Sequence, residues 1–134
     1  MSVERATYVD SSAIVKLVVR EPESAALARF LRTRRPLVSS ALARVEVERA
    51  CLAVGRDVRD MAREVVARFD LVRINERVLA TAASLLPPEI RSLDAIHLAS
   101  ASILGPSLRV VVTYDERMSA AARGLGWKVH APGA

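Results

Sequence analysis

Ala6-Thr7-Tyr8-Val9-Asp10-Ser11-Ser12 and Val110-Val111-Val112-Thr113-Tyr114-Asp115-Glu116-Arg117 share one arrangement: a short apolar run, an aspartate that closes it, and a helix-like pattern after it. Such a run reads as a buried strand. An aspartate just past a buried strand sits at its carboxyl end, where open α/β sheets place their ligand crevice. If the two strands are neighbours, Asp10 and Asp115 face each other there. Two such carboxylates repel each other unless a cation or a proton occupies the gap. The pair therefore predicts an α/β fold with a metal site.

Strands and helices alternate through the rest of the chain. Ile14, Leu17 and Val18 mark one face of a short helix after the first strand. Pro22 suits the first turn of the next helix, whose stripe is Leu27, Phe30 and Leu31. Pro36 stops it, and Leu37-Val38 is a short strand ahead of Ser39-Ser40. A helix is expected over about residues 41–54, ended by Gly55 in the C-terminal position that glycine favours. Val58, Met61, Ala62, Val65 and Phe69 stripe the helix after it. Residues 71–74 read as a strand, and Asn75 caps a helix carrying Val78, Leu79 and Ala82. After Pro87-Pro88, Ser92 is placed to cap a helix over residues 93–104, which Gly105-Pro106 terminates. A helix over residues 115–123 and a strand over 127–130 complete the pattern. Alternation of this kind predicts a parallel sheet covered on both faces.

At 134 residues and 51% apolar content, the chain fits one domain, residues 1–134, with a real core. The charged start Met1-Ser2-Val3-Glu4-Arg5 resembles no signal peptide. The longest uncharged run, residues 95–108, is too short and too broken by Gly105 and Pro106 to span a bilayer. A cytoplasmic protein without membrane association is the simplest expectation. Cys51 is the sole cysteine, which leaves no intrachain disulfide and no cysteine metal cage. The net charge of +5 suits a polyanionic partner. Arginine supplies 18 of the 20 basic residues and is scattered, so the charge permits a nucleic acid without demanding one.

Two further acids interrupt apolar helix faces. Glu46 lies among Leu42, Ala43 and Ala50, and Asp94 lies in a helix first turn beside His97 and Leu98. Four hard oxygen donors, Asp10, Glu46, Asp94 and Asp115, suit Mg²⁺ or Mn²⁺ rather than zinc. Each has a plainer reading. The three aspartates could cap helices or complement their dipoles, and Glu46 could pair with Arg49. His97 reads more readily as a satisfied core-edge histidine than as a ligand, His130 as inert, Cys51 as a buried small hydrophobe, and Trp127 as packing. Spacing alone leaves both sets of readings open.

The segments Tyr8-Val9-Asp10-Ser11-Ser12-Ala13-Ile14-Val15-Lys16-Leu17, Ser39-Ser40 with Glu46 following, Leu93-Asp94-Ala95-Ile96-His97-Leu98-Ala99 and Thr113-Tyr114-Asp115 look like those of PIN-domain nucleases. They most closely resemble the VapC toxins of bacterial toxin–antitoxin pairs, in the right order over essentially the whole chain. The resemblance implies a PIN-like α/β/α sandwich around a central, mainly parallel sheet. It also implies Mg²⁺- or Mn²⁺-dependent endoribonuclease activity, a homodimer and inhibition by a cognate VapB-like antitoxin. It places the catalytic metal site on Asp10, Glu46, Asp94 and Asp115, with Ser11 or Ser12 and Thr113 as hydrogen-bonding support. A solitary PIN nuclease of RNA processing, or a catalytically weak PIN binding module, would carry the same outline. A dehalogenase-like phosphotransferase would need Asp where Ser12 stands, a phospho-receiver an acidic pair ahead of Asp10, and no P-loop is present.

Three more expectations concern the reaction and its neighbourhood. A water activated by one or two metals would attack the phosphodiester, so the RNA 2′-hydroxyl need not react. The stripes Ile14/Leu17/Val18 and Leu27/Phe30/Leu31 are close in sequence, so either one small domain does not bury both and part of this surface receives an apolar antitoxin segment, or both stripes are core. Glu46 and Glu48 differ by about 200° around a helix, so only one faces the crevice. Glu48 has Arg44 as a surface partner one turn away. Glu46 is the better candidate, and repulsion from the aspartates should make metal-free Glu46→Gln as stable as the parent or more so.

Overall fold

The structure, a computed structural model, describes residues 5–134. The strands are β1 (Ala6–Val9), β2 (Leu37–Ser40), β3 (Asp70–Val72), β4 (Leu108–Val112) and β5 (Val129–His130). The helices are α1 (Ser11–Val18), α2 (Ser24–Arg32), α3 (Leu42–Leu52), α4 (Arg56–Val66), α5 (Glu76–Ala83), α6 (Ser92–Ser102) and α7 (Glu116–Gly124). The sheet runs β3-β2-β1-β4-β5 with every pairing parallel. From β1 the chain winds outward through β2 and β3, then returns to the other side of β1 for β4 and β5. The reversal of strand order falls between β1 and β4, where Val9 pairs with Val112. A doubly wound sheet opens its crevice beyond the carboxyl ends of the strands at such a point. Asp10 and Asp115 come directly after those two strands.

Side-chain alternation along the central strands builds the two layers. Val9, Val110 and Val112 point into a core with Ile14, Leu27, Val47, Ala62 and Phe69, contributed by α1–α4 and the segment after α4. Tyr8 and Val111 point the other way, onto Leu98 of α6 and Met118 and Ala122 of α7. Both faces of the sheet are therefore covered, as the uninterrupted apolar run Val110-Val111-Val112 requires of a buried parallel strand. Fully burying one such Val or Leu side chain is worth roughly 1.5–3 kcal/mol.

Several boundaries move. Gly55 is not a left-handed C-cap: α3 ends at Leu52, and Gly55 is extended, at φ 164°, as the N-cap of α4. Pro22 lies in the turn ahead of α2, which begins at Ser24 behind Glu23. Ser92 is the first residue of α6 rather than its cap; Arg91 holds that position and makes no capping side-chain bond. Asn75 does cap α5, accepting from the Val78 amide at 3.0 Å. The outer strands are shorter than the apolar runs suggest, because edge residues such as Ile74 and Trp127 lie outside the ladder.

The two α1–α2 stripes are both taken up by the fold, which decides for the core reading and against an open surface there for an antitoxin segment. Ile14 and Leu27 are fully buried and Leu31 nearly so, while Leu17, Val18 and Phe30 pack against the same core. Phe30 also stacks on His130 at 4.9 Å, with the Arg34 guanidinium over it at 3.8 Å. The open apolar side chains lie elsewhere: Val45, Leu52, Val54 and Met61 around α3 and α4, and Leu79, Leu86 and Leu93 around α5 and α6. Among the described residues, no helix is long and apolar enough to cross a membrane.

Candidate metal centre

Asp10 leaves β1 and caps α1: its Oδ1 accepts from the Ala13 amide at 3.1 Å and from the Ser12 hydroxyl at 2.7 Å. Its Oδ2 accepts a short hydrogen bond from the Thr113 hydroxyl. The side chain is almost wholly buried, at 4% exposure. Burial pushes its pKa up, and the Thr113 and Ser12 bonds only partly offset that. Asp115 caps α7 in the same manner, its Oδ1 accepting from the Arg117 and Met118 amides at 2.8 and 3.0 Å. Thr113 Oγ1 also accepts from the Asp115 amide at 3.1 Å, so one threonine links the two aspartate loops. Ser12 Oγ accepts from the Tyr114 amide at 3.1 Å, which ties them a second time. Capping is thus a true description of both residues. For Asp115 it occupies one oxygen and leaves the other without a hydrogen-bond partner among the described residues.

Glu46 reaches this end of the sheet from α3. Its Oε1 accepts from Ser11 Oγ at 2.7 Å and from His97 Nε2 at 2.7 Å. It makes no pair with Arg49. Burial raises its pKa, yet the His97 and Ser11 bonds outweigh burial and leave it below the usual carboxylate range. A lowered folded-state pKa means that the ionised side chain stabilises the fold at neutral pH, and that this contribution is lost as the pH falls through the folded pKa. This direction runs against the expectation that metal-free Glu46→Gln would be as stable or more so, because the His97 and Ser11 donors on Oε1 favour the ionised side chain. Glu48 points away. It accepts from Arg63 Nε of α4 at 2.7 Å, not from Arg44.

Asp94, in the first turn of α6, is half-buried and accepts no hydrogen bond among the described residues. Burial raises its pKa, and the negative charge of Asp115 raises it further. His97 and Arg91 act in the opposite direction, and Glu46 adds to the rise. The raised folded-state pKa means that ionised Asp94 costs stability as the pH rises through it. Metal-free Asp94→Asn should melt higher than the parent at pH 7, by no more than about 4 °C, and the gain should vanish in acid; thermal melts across the pH range check this.

The donor set fits a hard divalent cation. Asp94 and Asp115 carry unpaired oxygens and feel each other's charge beside the buried Asp10, and the one cysteine, Cys51, is buried in the core under α1–α4. Among the described residues, no three Asp, Glu, His or Cys side chains are arranged so as to hold a metal ion by themselves. An open rim of this kind suits Mg²⁺, which keeps several waters and takes one or two carboxylates plus substrate phosphate.

A family model described as PIN domain matches residues 7–124. The chain belongs to the PIN-domain family. The chain is 59% identical over 127 residues to Ribonuclease VapC46 of Mycobacterium tuberculosis, covering 95% of this chain and 98% of that one. It is 44% identical over 130 residues to Ribonuclease VapC35 of the same species, covering 94% and 96%. The crystal structure of FitAcB from Neisseria gonorrhoeae superposes with a TM-score of 0.67 at 19% identity, covering 94% of this chain and 97% of that one, a likeness of fold.

Two features of this PIN domain are not apparent from its sequence. His97 is satisfied, as expected of a buried histidine, but its partner is the candidate ligand Glu46, and Tyr8 OH lies 2.7 Å from its Nδ1. One turn separates Asp94 from His97 on α6, and that spacing was the available signal. A groove of about 550 Å³ also opens beside Asp94, with Leu86, Ile90, Arg91, Arg117 and Ala121 in its lining.

Proposed function

We propose that this PIN domain is an endoribonuclease of the VapC type, the toxin of a toxin–antitoxin pair. The observation that carries this reading is the placement of Asp10 and Asp115 just past the paired strands β1 and β4, joined through Thr113, with Asp94 within electrostatic reach of Asp115 and Glu46. Asp10, Asp94 and Asp115 would hold Mg²⁺ or Mn²⁺, with Glu46 joining directly or through a water. When bound, the ion supplies a water of lowered pKa and polarises the scissile phosphate.

The chain's own residues do the rest. Thr113 and Ser12 fix the Asp10 carboxylate before substrate arrives. Arg91 and Arg117, in the groove beside Asp94, bind flanking phosphates without reading sequence. Glu46, anchored through Oε1, would orient the attacking water or complete the shell of the ion. With water as the nucleophile, the 2′-hydroxyl would not be consumed. A VapB-like antitoxin and a second copy of the chain are the expected partners. The surfaces open to them are the apolar side chains of α3–α6 rather than the covered α1–α2 stripes. We place the protein in the cytoplasm, where RNA is.

Purified protein incubated with structured RNA should cut internally with Mn²⁺ or Mg²⁺ and stop on addition of EDTA; cutting that persists in EDTA would sink the reading. Thr113→Val keeps the shape of the side chain and removes the donor to Asp10. It should slow cleavage by about tenfold, the usual scale for losing a hydrogen bond behind a metal ligand. Initial rates at saturating Mn²⁺ check it.

A further inference from the structure

Tyr8 and His97 form a buried polar pair that stands behind Glu46. Tyr8 is 1% exposed and His97 3%. The rings meet edge to face, 6.0 Å apart at 78°. Tyr8 OH lies 2.7 Å from Nδ1, and Nε2 lies 2.7 Å from Glu46 Oε1. A carboxylate only accepts hydrogen bonds, so the nitrogen facing Glu46 carries the hydrogen. In the neutral ring Nδ1 is then the acceptor, and the Tyr8 hydroxyl donates to it. The imidazole is clamped between a strand residue on one side and the site on the other.

We propose that His97 is a positioning residue for Glu46: it presents Nε2–H to Oε1, with Tyr8 fixing the ring at Nδ1, and so holds the Glu46 side chain where the metal centre needs it. The inference rests on the metal reading of the site. Three observations favour a positioning role over plain core packing. Both ring nitrogens have partners. The same Oε1 takes a second donor from Ser11, which itself lies 3.3 Å from Nε2. The helix that carries His97 also carries Asp94, so the histidine couples two of the candidate ligands to one rigid element.

The amide side chains separate the two nitrogens. The Gln amide nitrogen falls near Nε2 and can still donate to Glu46, whereas the Asn amide nitrogen falls near Nδ1 and cannot reach it. Mn²⁺ binding to the whole protein, read by calorimetry, should weaken at least about tenfold in His97→Asn and change less than about threefold in His97→Gln. Both variants should lose similar thermal stability, since both disturb the same packing. Equal loss of Mn²⁺ affinity in the two would overturn the proposal.

Nitrogen NMR of ¹⁵N-histidine-labelled, unaltered, metal-free protein supplies a second measurement that requires no variant to fold. Nε2 should carry hydrogen; a His97 ring protonated on Nδ1 alone would overturn the proposal as well. Unaltered protein that shows the expected Nε2–H but binds no Mn²⁺ would refute the metal reading of the site instead.

Discussion

Asp10→Asn is expected to lower RNA cleavage by at least about two orders of magnitude, the largest loss among the single changes considered, because it removes a charged ligand from the centre of the site. Asp115→Asn should cost a comparable factor. The Asp10 variant should nonetheless fold. Burial raises the Asp10 pKa, so its ionised form costs stability at neutral pH, and that cost grows as the pH rises through the folded-state pKa. A neutral amide avoids the cost. Its oxygen can keep the Ala13 amide and the Ser12 hydroxyl, while the Thr113 hydroxyl turns to accept rather than donate. Metal-free melts of the variant should lie at or above those of the parent, and the upward shift that Mn²⁺ gives the parent should disappear. Single-turnover cleavage beside those melts separates a lost ligand from a lost fold. Wild-type activity in Asp10→Asn would contradict the assignment.

Glu46→Gln against Glu48→Gln is the second large contrast. Both side chains sit on α3, two residues apart, but one meets Ser11 and His97 and the other meets Arg63 on the surface. Glu46→Gln should cut activity by about 10- to 100-fold and weaken Mn²⁺ binding. It should also make the metal-free protein slightly less stable at pH 7, since its ionised form is the one the fold favours. That deficit should shrink in acid, as the pH falls through the lowered folded-state pKa and the parent glutamate also becomes neutral. Glu48→Gln should change neither activity nor metal response, because an exposed ion pair contributes little. A metal-induced shift lost in Glu48→Gln and kept in Glu46→Gln would reverse the assignment.

The strand–Asp–helix repeat was legible because it combines two local signals, an apolar run long enough for a buried strand and a side chain able to cap the next helix. The alternation of strands and helices implied the parallel sheet, while the neighbouring placement of β1 and β4 stood only as a condition until the pairing showed it. Glu46 could be separated from Glu48 because helical rotation and the surrounding residue types are local as well. The partners were not legible. Glu48 finds Arg63, fifteen residues away on another helix, and the nearer Arg44 gave no hint of it. His97 meets Glu46 across fifty-one residues, a contact that only the tertiary placement of α6 and α3 creates. The α1–α2 stripes stayed undecided for the same reason: α3, α4 and the sheet supply more covering surface than two adjacent helices suggest. Gly55 misled because glycine also serves in extended turns, where nothing about it demands a left-handed backbone.

The chemistry of the RNA ends left by the purified protein in Mn²⁺ tests the central claim most directly. Attack by a metal-activated water leaves the 2′-hydroxyl out of the reaction, so every cut should be internal, should need the metal and should yield no 2′,3′-cyclic phosphate. Fragments ending in cyclic phosphate, formed equally well in EDTA, would contradict the account.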